Sequence, residues 1–220
     1  MDILPKVRRA AGSIPLNAES ALVTAGAPIM EKIAIPTFPN TQEHWLDSSR
    51  QVALVVGATV FVALCARITI PLMPLTPVPL TAQNLGVLLV GLLLGSRRGF
   101  AAMMVYLLEG MAGLPVFNPN GPGGVTQLFG VTGGFLLIYP FVAFVAGRIF
   151  ERGARSFARA VMASAVAEVL LFTGGLSWLY VFTHSLAKAA YLGLYWFIAG
   201  EAIKIMMAAG IASRWRRARI

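Results

Sequence analysis

Long runs of apolar residues, parted by short polar, glycine-rich or proline-rich segments, fill the chain from Val52 onward. Val52 to Ile70 reaches the roughly 20 apolar residues that cross a bilayer, and Pro71, Pro74, Pro77 and Pro79 then forbid its continuation as a helix. Leu80 to Gly95 and Gly99 to Gly113 are two shorter segments separated by Ser96, Arg97 and Arg98, a pattern that predicts a helical hairpin. At about 15 residues, or roughly 22 Å of helix, neither crosses a standard bilayer core unaided. Short helices at membrane depth usually line a cavity. Leu114 to Gly130, with Pro115, Pro119, Pro122 and Gly121, Gly123 and Gly124, reads as a structured loop. Val131 to Phe150 predicts a fourth span, and Ala160 to Thr173 a fifth helix that breaks at Gly174 and Gly175. An aromatic stretch from Trp178 to Tyr195 leads to a sixth helix, Phe197 to Ser213.

The expected fold is therefore all-α: a polytopic membrane protein of six transmembrane helices. Residues 52–220 form the membrane domain, and Met1 to about Gln51 is a flexible or interfacial extension with no assigned fold or chemistry. Proline at positions 15, 28, 36 and 39 interrupts that extension before an apolar core forms, so it does not read as a cleaved signal peptide. Composition supports lipid as the solvent: of 220 residues, 57% are apolar and 12% charged, with a mean hydropathy of +0.74. The net charge of +9 gathers in short runs between apolar stretches, a topology signal rather than a nucleic-acid surface. Arg97 and Arg98, Arg152 and Arg155, and the tail Arg214, Arg216, Arg217 and Arg219 fall on one side, whereas the opposite loops offer Arg67 and Lys188. The positive-inside rule then puts both termini in the cytoplasm and the chain in the inner membrane, with three loops outside. The proline segment, the Gly/Pro loop and the aromatic segment meet on that outer face, where a substrate mouth is expected.

Charges inside membrane helices are costly, so each invites a function. Glu201 and Lys204, three residues apart, share a helical face in the first turns of the sixth helix. Lys204 can hold an anionic group, aided by the helix dipole, while Glu201 accepts hydrogen bonds; a self-neutralising ion pair is the alternative. Glu109, one turn after Tyr106, points into the same cavity or snorkels to the interface. Gln83 and Asn84 recognise a polar ligand or cap their helix. Trp178 stacks on a ligand ring or belongs to an aromatic belt. Glu168 reads as structural, and Arg67 as a snorkelling side chain. Cys65 is a lone thiol in an apolar run, and His44 and His184 form no HExxH pattern. No catalytic constellation, metal site, cofactor motif or Walker A loop is present in the sequence, so any driving energy comes from gradients or another chain.

Three stretches carry a resemblance: TPVPLTAQNLGVLLVGLLLGSRRG (Thr76 to Gly99), YLLEGMAGLPVF (Tyr106 to Phe117) and GVTGGFLLIYP (Gly130 to Pro140). Together they resemble BioY, the biotin-binding S components of energy-coupling-factor vitamin transporters, over roughly Val52 to the C-terminus. The resemblance implies an S-component fold with a biotin pocket near the outer face, and a transmembrane coupling protein with two ATPases as partners; a homo-oligomer is the alternative assembly. Small residues Ala53, Gly57 and Ala58 on the first helix suit close packing against that coupling protein or within the chain itself. The family's acidic-x-x-Lys motif, usually aspartate, corresponds to Glu201 and Lys204; Glu109 stands where a small residue is expected, and the N-terminal extension lies outside the pattern. In this reading the valerate carboxylate meets the cationic side of the pocket, and the ureido group meets Glu201 or amides. An S component for another vitamin, or a membrane enzyme using Glu109, Glu168 and Glu201 as acid-base or metal groups, are the rival readings. The enzyme reading needs those three carboxylates to converge.

Overall fold

The computed structural model describes residues 41–154 and 156–217, with side chains described from Ser49 to Trp215 and a compact unit that begins at Asp47. In chain order the elements are α1 (Thr41–Arg67), β1 (Thr69–Ile70), β2 (Leu80–Thr81), α2 (Gln83–Leu94), α3 (Ser96–Met111), α4 (Gly124–Phe129) and α5 (Gly133–Leu137). They continue as α6 (Tyr139–Glu151), α7 (Phe157–Thr183), α8 (Leu186–Ala190), a π-helical turn (Tyr191–Tyr195) and α9 (Ile198–Arg217). By length and composition, Ser49–Arg67 and Phe157–Thr183 can each cross a bilayer, and Leu186–Tyr195 with Ile198–Trp215, bent by 47°, can form a third crossing.

The packing is inverted relative to a water-soluble bundle. Large apolar side chains such as Leu64, Leu108, Phe141, Val169 and Ile203 face outward, while the interior is rich in Ala102, Ala143, Ala146, Ala163, Ala167 and Ala208. Lipid is as apolar as leucine, so helices here gain from close backbone approach rather than from hiding large residues. Gly91, Gly99 and Ala143 let α2, α3 and α6 touch: a Cβ on Gly99 would stand 3.2 Å from the Gly91 Cα. Gly95, at φ 88°, makes the one-residue reversal between α2 and α3. The exposed start of α3 is closed by a neighbour, because Glu151 accepts from the Ser96 N–H at 3.0 Å and from its hydroxyl at 2.8 Å.

The structure corrects several sequence expectations. α7 does not break at Gly174 and Gly175 but runs on to Thr183, carrying Trp178 with it. These glycines are contact points: a side chain on Gly175 would collide with the Phe135 ring, and one on Gly174 would meet Ile138 at 3.0 Å. The fourth segment is split into α5 and α6 at Ile138. α1 begins at Thr41, inside the extension that was assigned no fold, and residues 1–40 lie outside the described residues. The fold is also not purely helical, since the proline segment folds back through an antiparallel pairing of Thr69 with Thr81 and Ile70 with Leu80.

Three connections meet at one end of the bundle, the loop end. Asn120 donates to Thr69 Oγ1 at 3.0 Å, Thr76 donates to the Leu192 carbonyl at 2.6 Å, and Arg67 donates to the Pro115 carbonyl. Trp178 Nε1–H donates to the Gly130 carbonyl at 2.9 Å, tying α7 to the same end.

Candidate functional site

A cleft lies under the loop end. Its walls are apolar and aromatic: Val78 and Pro79 from the proline segment, Phe135, Leu136 and Tyr139 from α5 and α6, Leu171 and Phe172 from α7, and Phe197 before α9. Its polar groups come from α2 (Gln83, Asn84), α9 (Glu201, Lys204), the Gly/Pro loop with α4 (Asn118, Gln127), and Thr81 and Thr132.

The polar groups are organised by cross-helix hydrogen bonds. Lys204 Nζ donates to Glu201 Oε1 at 2.8 Å, both side chains being buried. Asn84 Nδ2 donates to Glu201 Oε2 at 2.8 Å and to Glu168 Oε1 at 2.6 Å, which links α2, α9 and α7. Asn84 Oδ1 is buried with no partner in the protein. Gln83 donates to the Tyr106 hydroxyl at 2.9 Å, and that hydroxyl donates to the Val116 carbonyl at 2.7 Å. The capping alternative for Gln83 and Asn84 does not hold: Ala82 is the N-cap, with no side-chain cap bond, and both amides turn to other helices. With Lys204 neutralised by Glu201, the polar patch carries an acceptor in Asn84 Oδ1, a cationic donor and carboxylate acceptors. That set suits a neutral group offering both N–H donors and a carbonyl.

Of the residues singled out from the sequence, the structure brings Gln83, Asn84, Glu201 and Lys204 together on the cleft. Tyr106, fully buried, stands behind Gln83 rather than on the surface. Glu109 does not point into this cavity; it accepts from Thr59 Oγ1 at 3.0 Å and lines a separate side groove with Arg67 between α1 and α3. Trp178 does not line the cleft either, for its indole packs on Gly134 and bonds to Gly130. The carboxylates required by the enzyme reading therefore do not converge, since Glu168 and Glu201 share Asn84 while Glu109 lies apart. Among the described residues, no group of three or more His, Cys, Asp or Glu side chains is arranged to hold a metal ion.

The BioY family model matches residues 21–220. This chain belongs to the BioY family. The match starts well before Val52, so most of the extension falls inside the BioY pattern rather than outside it. Among curated BioY proteins, the biotin transporter of Thermotoga maritima is 37% identical over 164 residues, covering 74% of this chain and 95% of that one. The probable biotin transporter of Pyrococcus horikoshii is 32% identical over 166 residues, covering 76% and 96%. The biotin transporter of Rhizobium etli is 37% identical over 143 residues, covering 60% and 75%. A crystal structure of the S-component for biotin from an ECF-type ABC transporter superposes with a TM-score of 0.70 at 22% identity, covering 82% of this chain and 95% of that one. The helices of this BioY chain thus have the S-component fold.

Asn118, Gln127, Thr132 and Tyr139 were not singled out from the sequence, although they line the cleft of this BioY protein. The available signal was a buried amide within an otherwise apolar or glycine-rich stretch. Asn118 is 6% exposed and Gln127 2% exposed, and Gln127 Oε1 accepts from the Gly123 N–H at 3.1 Å, bracing the loop. The TGG motif of the resemblance is also explained: side chains on Gly133 or Gly134 would collide with the Leu128 carbonyl or with Trp178.

Proposed function

We propose that this chain is the biotin-binding and translocating membrane subunit of a vitamin-uptake transporter. The observation that supports it most is the cleft beneath the loop end, whose polar patch of Asn84, Glu201 and Lys204 faces apolar and aromatic walls in a chain whose relatives are named biotin transporters. Biotin has a bicyclic body with a ureido group at one end and a carboxylate at the other. The ureido ring goes to the patch: its carbonyl accepts from Lys204, and its N–H groups donate to Asn84 Oδ1 and Glu201. The carboxylate stays away from Glu201 and Glu168 and lies nearer the loop amides of Asn118 and Gln127. This reverses the expectation that Lys204 receives the valerate, because Lys204 is already neutralised by Glu201. Glu109 and Trp178 take no part, and Tyr106 acts by holding Gln83.

The arginine distribution supports six membrane helices with both termini on the cytoplasmic side of the inner membrane, residues 52–220 forming the binding domain. The cleft then opens outward. The S-component neighbour supports the reading that a transmembrane coupling protein and ATPases power release inward. The deciding experiment is equilibrium biotin binding to the detergent-purified chain with riboflavin and thiamine as competitors. Tight, selective binding is expected, weakened by Lys204→Ala and Glu201→Ala; a chain that binds another vitamin and ignores biotin would sink the assignment.

A further inference from the structure

Glu168 does not line the cleft, yet it is 4% exposed and its Oε1 accepts a 2.6 Å hydrogen bond from Asn84 Nδ2. The same nitrogen donates to Glu201 Oε2 at 2.8 Å. A side-chain amide has two N–H donors, so both are consumed by carboxylates from different helices. With a carboxyl oxygen accepting at each N–H, the amide nitrogen is held toward Glu168 and Glu201. Oδ1 is thereby the atom left over, buried and unpartnered, on a residue that lines the cleft.

Packing does not explain the presence of Glu168. Its Oε2 has no partner, and a buried carboxylate with so few bonds is a weaker stabiliser than an apolar side chain of similar volume. Glu201 engages one N–H of the amide and Glu168 takes the second, so Asn84 is held from two helices at once.

We infer that Glu168 is a positioning residue: clamping Asn84 jointly with Glu201, it presents Asn84 Oδ1 as the acceptor for one ureido N–H of the bound ligand. The inference rests on the biotin reading of the cleft and names a residue, 84 positions along the chain from Asn84, that acts without touching ligand.

The test compares biotin with two analogues, each methylated on one ureido nitrogen, titrated against the purified full chain as wild type and as Glu168→Leu. Wild type is expected to bind biotin and to bind each analogue about tenfold more weakly or worse, including the analogue that lacks the N–H facing Asn84 Oδ1, since a buried acceptor loses its donor. Glu168→Leu should weaken biotin by about tenfold while weakening that analogue much less, so that their ratio falls toward one. Equal weakening of all three ligands would make Glu168 merely structural and overturn the inference, as would unchanged biotin binding or a wild type indifferent to methylation. Should the leucine variant fail to give a cooperative thermal transition, Glu168→Met supplies the same ratio. A wild type that binds no biotin would remove the functional reading itself, a result distinct from the others.

Discussion

Where α2 ends and α3 begins, the helices approach on glycine and alanine; where α2 begins, α7 and α9 stand apart around asparagine, glutamate and lysine. One helix of 12 residues, about 18 Å long, takes part in both arrangements. At its lower end Gly91 sits against the Ala143 backbone, and Gly147 of α6 leaves no room for a side chain beside Gly95 and Ser96. At its upper end the amides of Gln83 and Asn84 reach partners on α3, α7 and α9. The seam is built from absent side chains and the cleft from side chains that bridge a gap. Rigidity at the first is what allows short helices to hold polar groups in register at the second.

Breaking the seam should have the largest effect. Gly91→Val forces branched carbons into the Ala143 carbonyl, a backbone group that cannot rotate away. Overpacking of a filled core costs about 1–3 kcal/mol or more, and here three helices share the contact. Loss of the monodisperse folded species in detergent, with all ligand binding gone, is expected. A folded, binding-competent Gly91→Val protein would mean that the seam does not set the cleft.

Attacking the cleft instead should spare the seam. Lys204→Ala leaves Glu201 buried without its 2.8 Å cation partner, a change that costs about 3–5 kcal/mol when a buried pair is broken. Biotin affinity should fall about a hundredfold or more, with a lower thermal midpoint. The double variant Lys204→Met with Glu201→Leu removes both charges and should recover the midpoint without recovering binding. If the double variant binds biotin as wild type does, the polar patch is not the ligand's partner.

A smaller effect lies one layer behind the cleft. Tyr106→Phe removes the hydroxyl that accepts from Gln83 and donates to Val116, leaving the buried Gln83 amide without that partner at about 1–3 kcal/mol. Thermal stability should drop by several degrees, while biotin affinity falls only a few-fold because Gln83 keeps its place on the wall. A loss of binding as large as that for Lys204→Ala would put Tyr106 in direct contact with the ligand.

The comparison also explains what could be read from the sequence. The apolar runs announced α2, α3, α9 and the end of α1 within a few residues, because membrane helices carry their length in composition. Glu201 and Lys204 were legible for the same reason: a spacing of three places two side chains together within one helix. The partnership of Asn84 with Glu168 was not, since it joins helices 84 residues apart and leaves no local periodicity. Gly174 and Gly175 misled because glycine is a helix breaker in water, whereas in a bundle packed by small residues it marks where Phe135 and Ile138 press in. Tyr106 and Glu109, one turn apart on α3, look equivalent in the sequence; only the neighbours of that turn separate a buried hydroxyl behind the cleft from a carboxylate beside α1.

That last distinction yields the smallest expected effect. Glu109→Gln keeps the volume and an acceptor oxygen for the Thr59 hydroxyl, 3.0 Å away, while removing a charge from the side groove it shares with Arg67. Three membrane carboxylates then separate by position: Glu201 on the cleft, Glu168 behind it, and Glu109 on a different face. Biotin affinity in Glu109→Gln should stay within about twofold of wild type, since hydrogen bonds that do not bridge to the site leave it unchanged and distant substitutions act independently. A tenfold loss would show that α1 and α3 transmit to the cleft through Arg67 and its bond to Pro115, and the seam and the cleft would have to be treated as one cooperative unit.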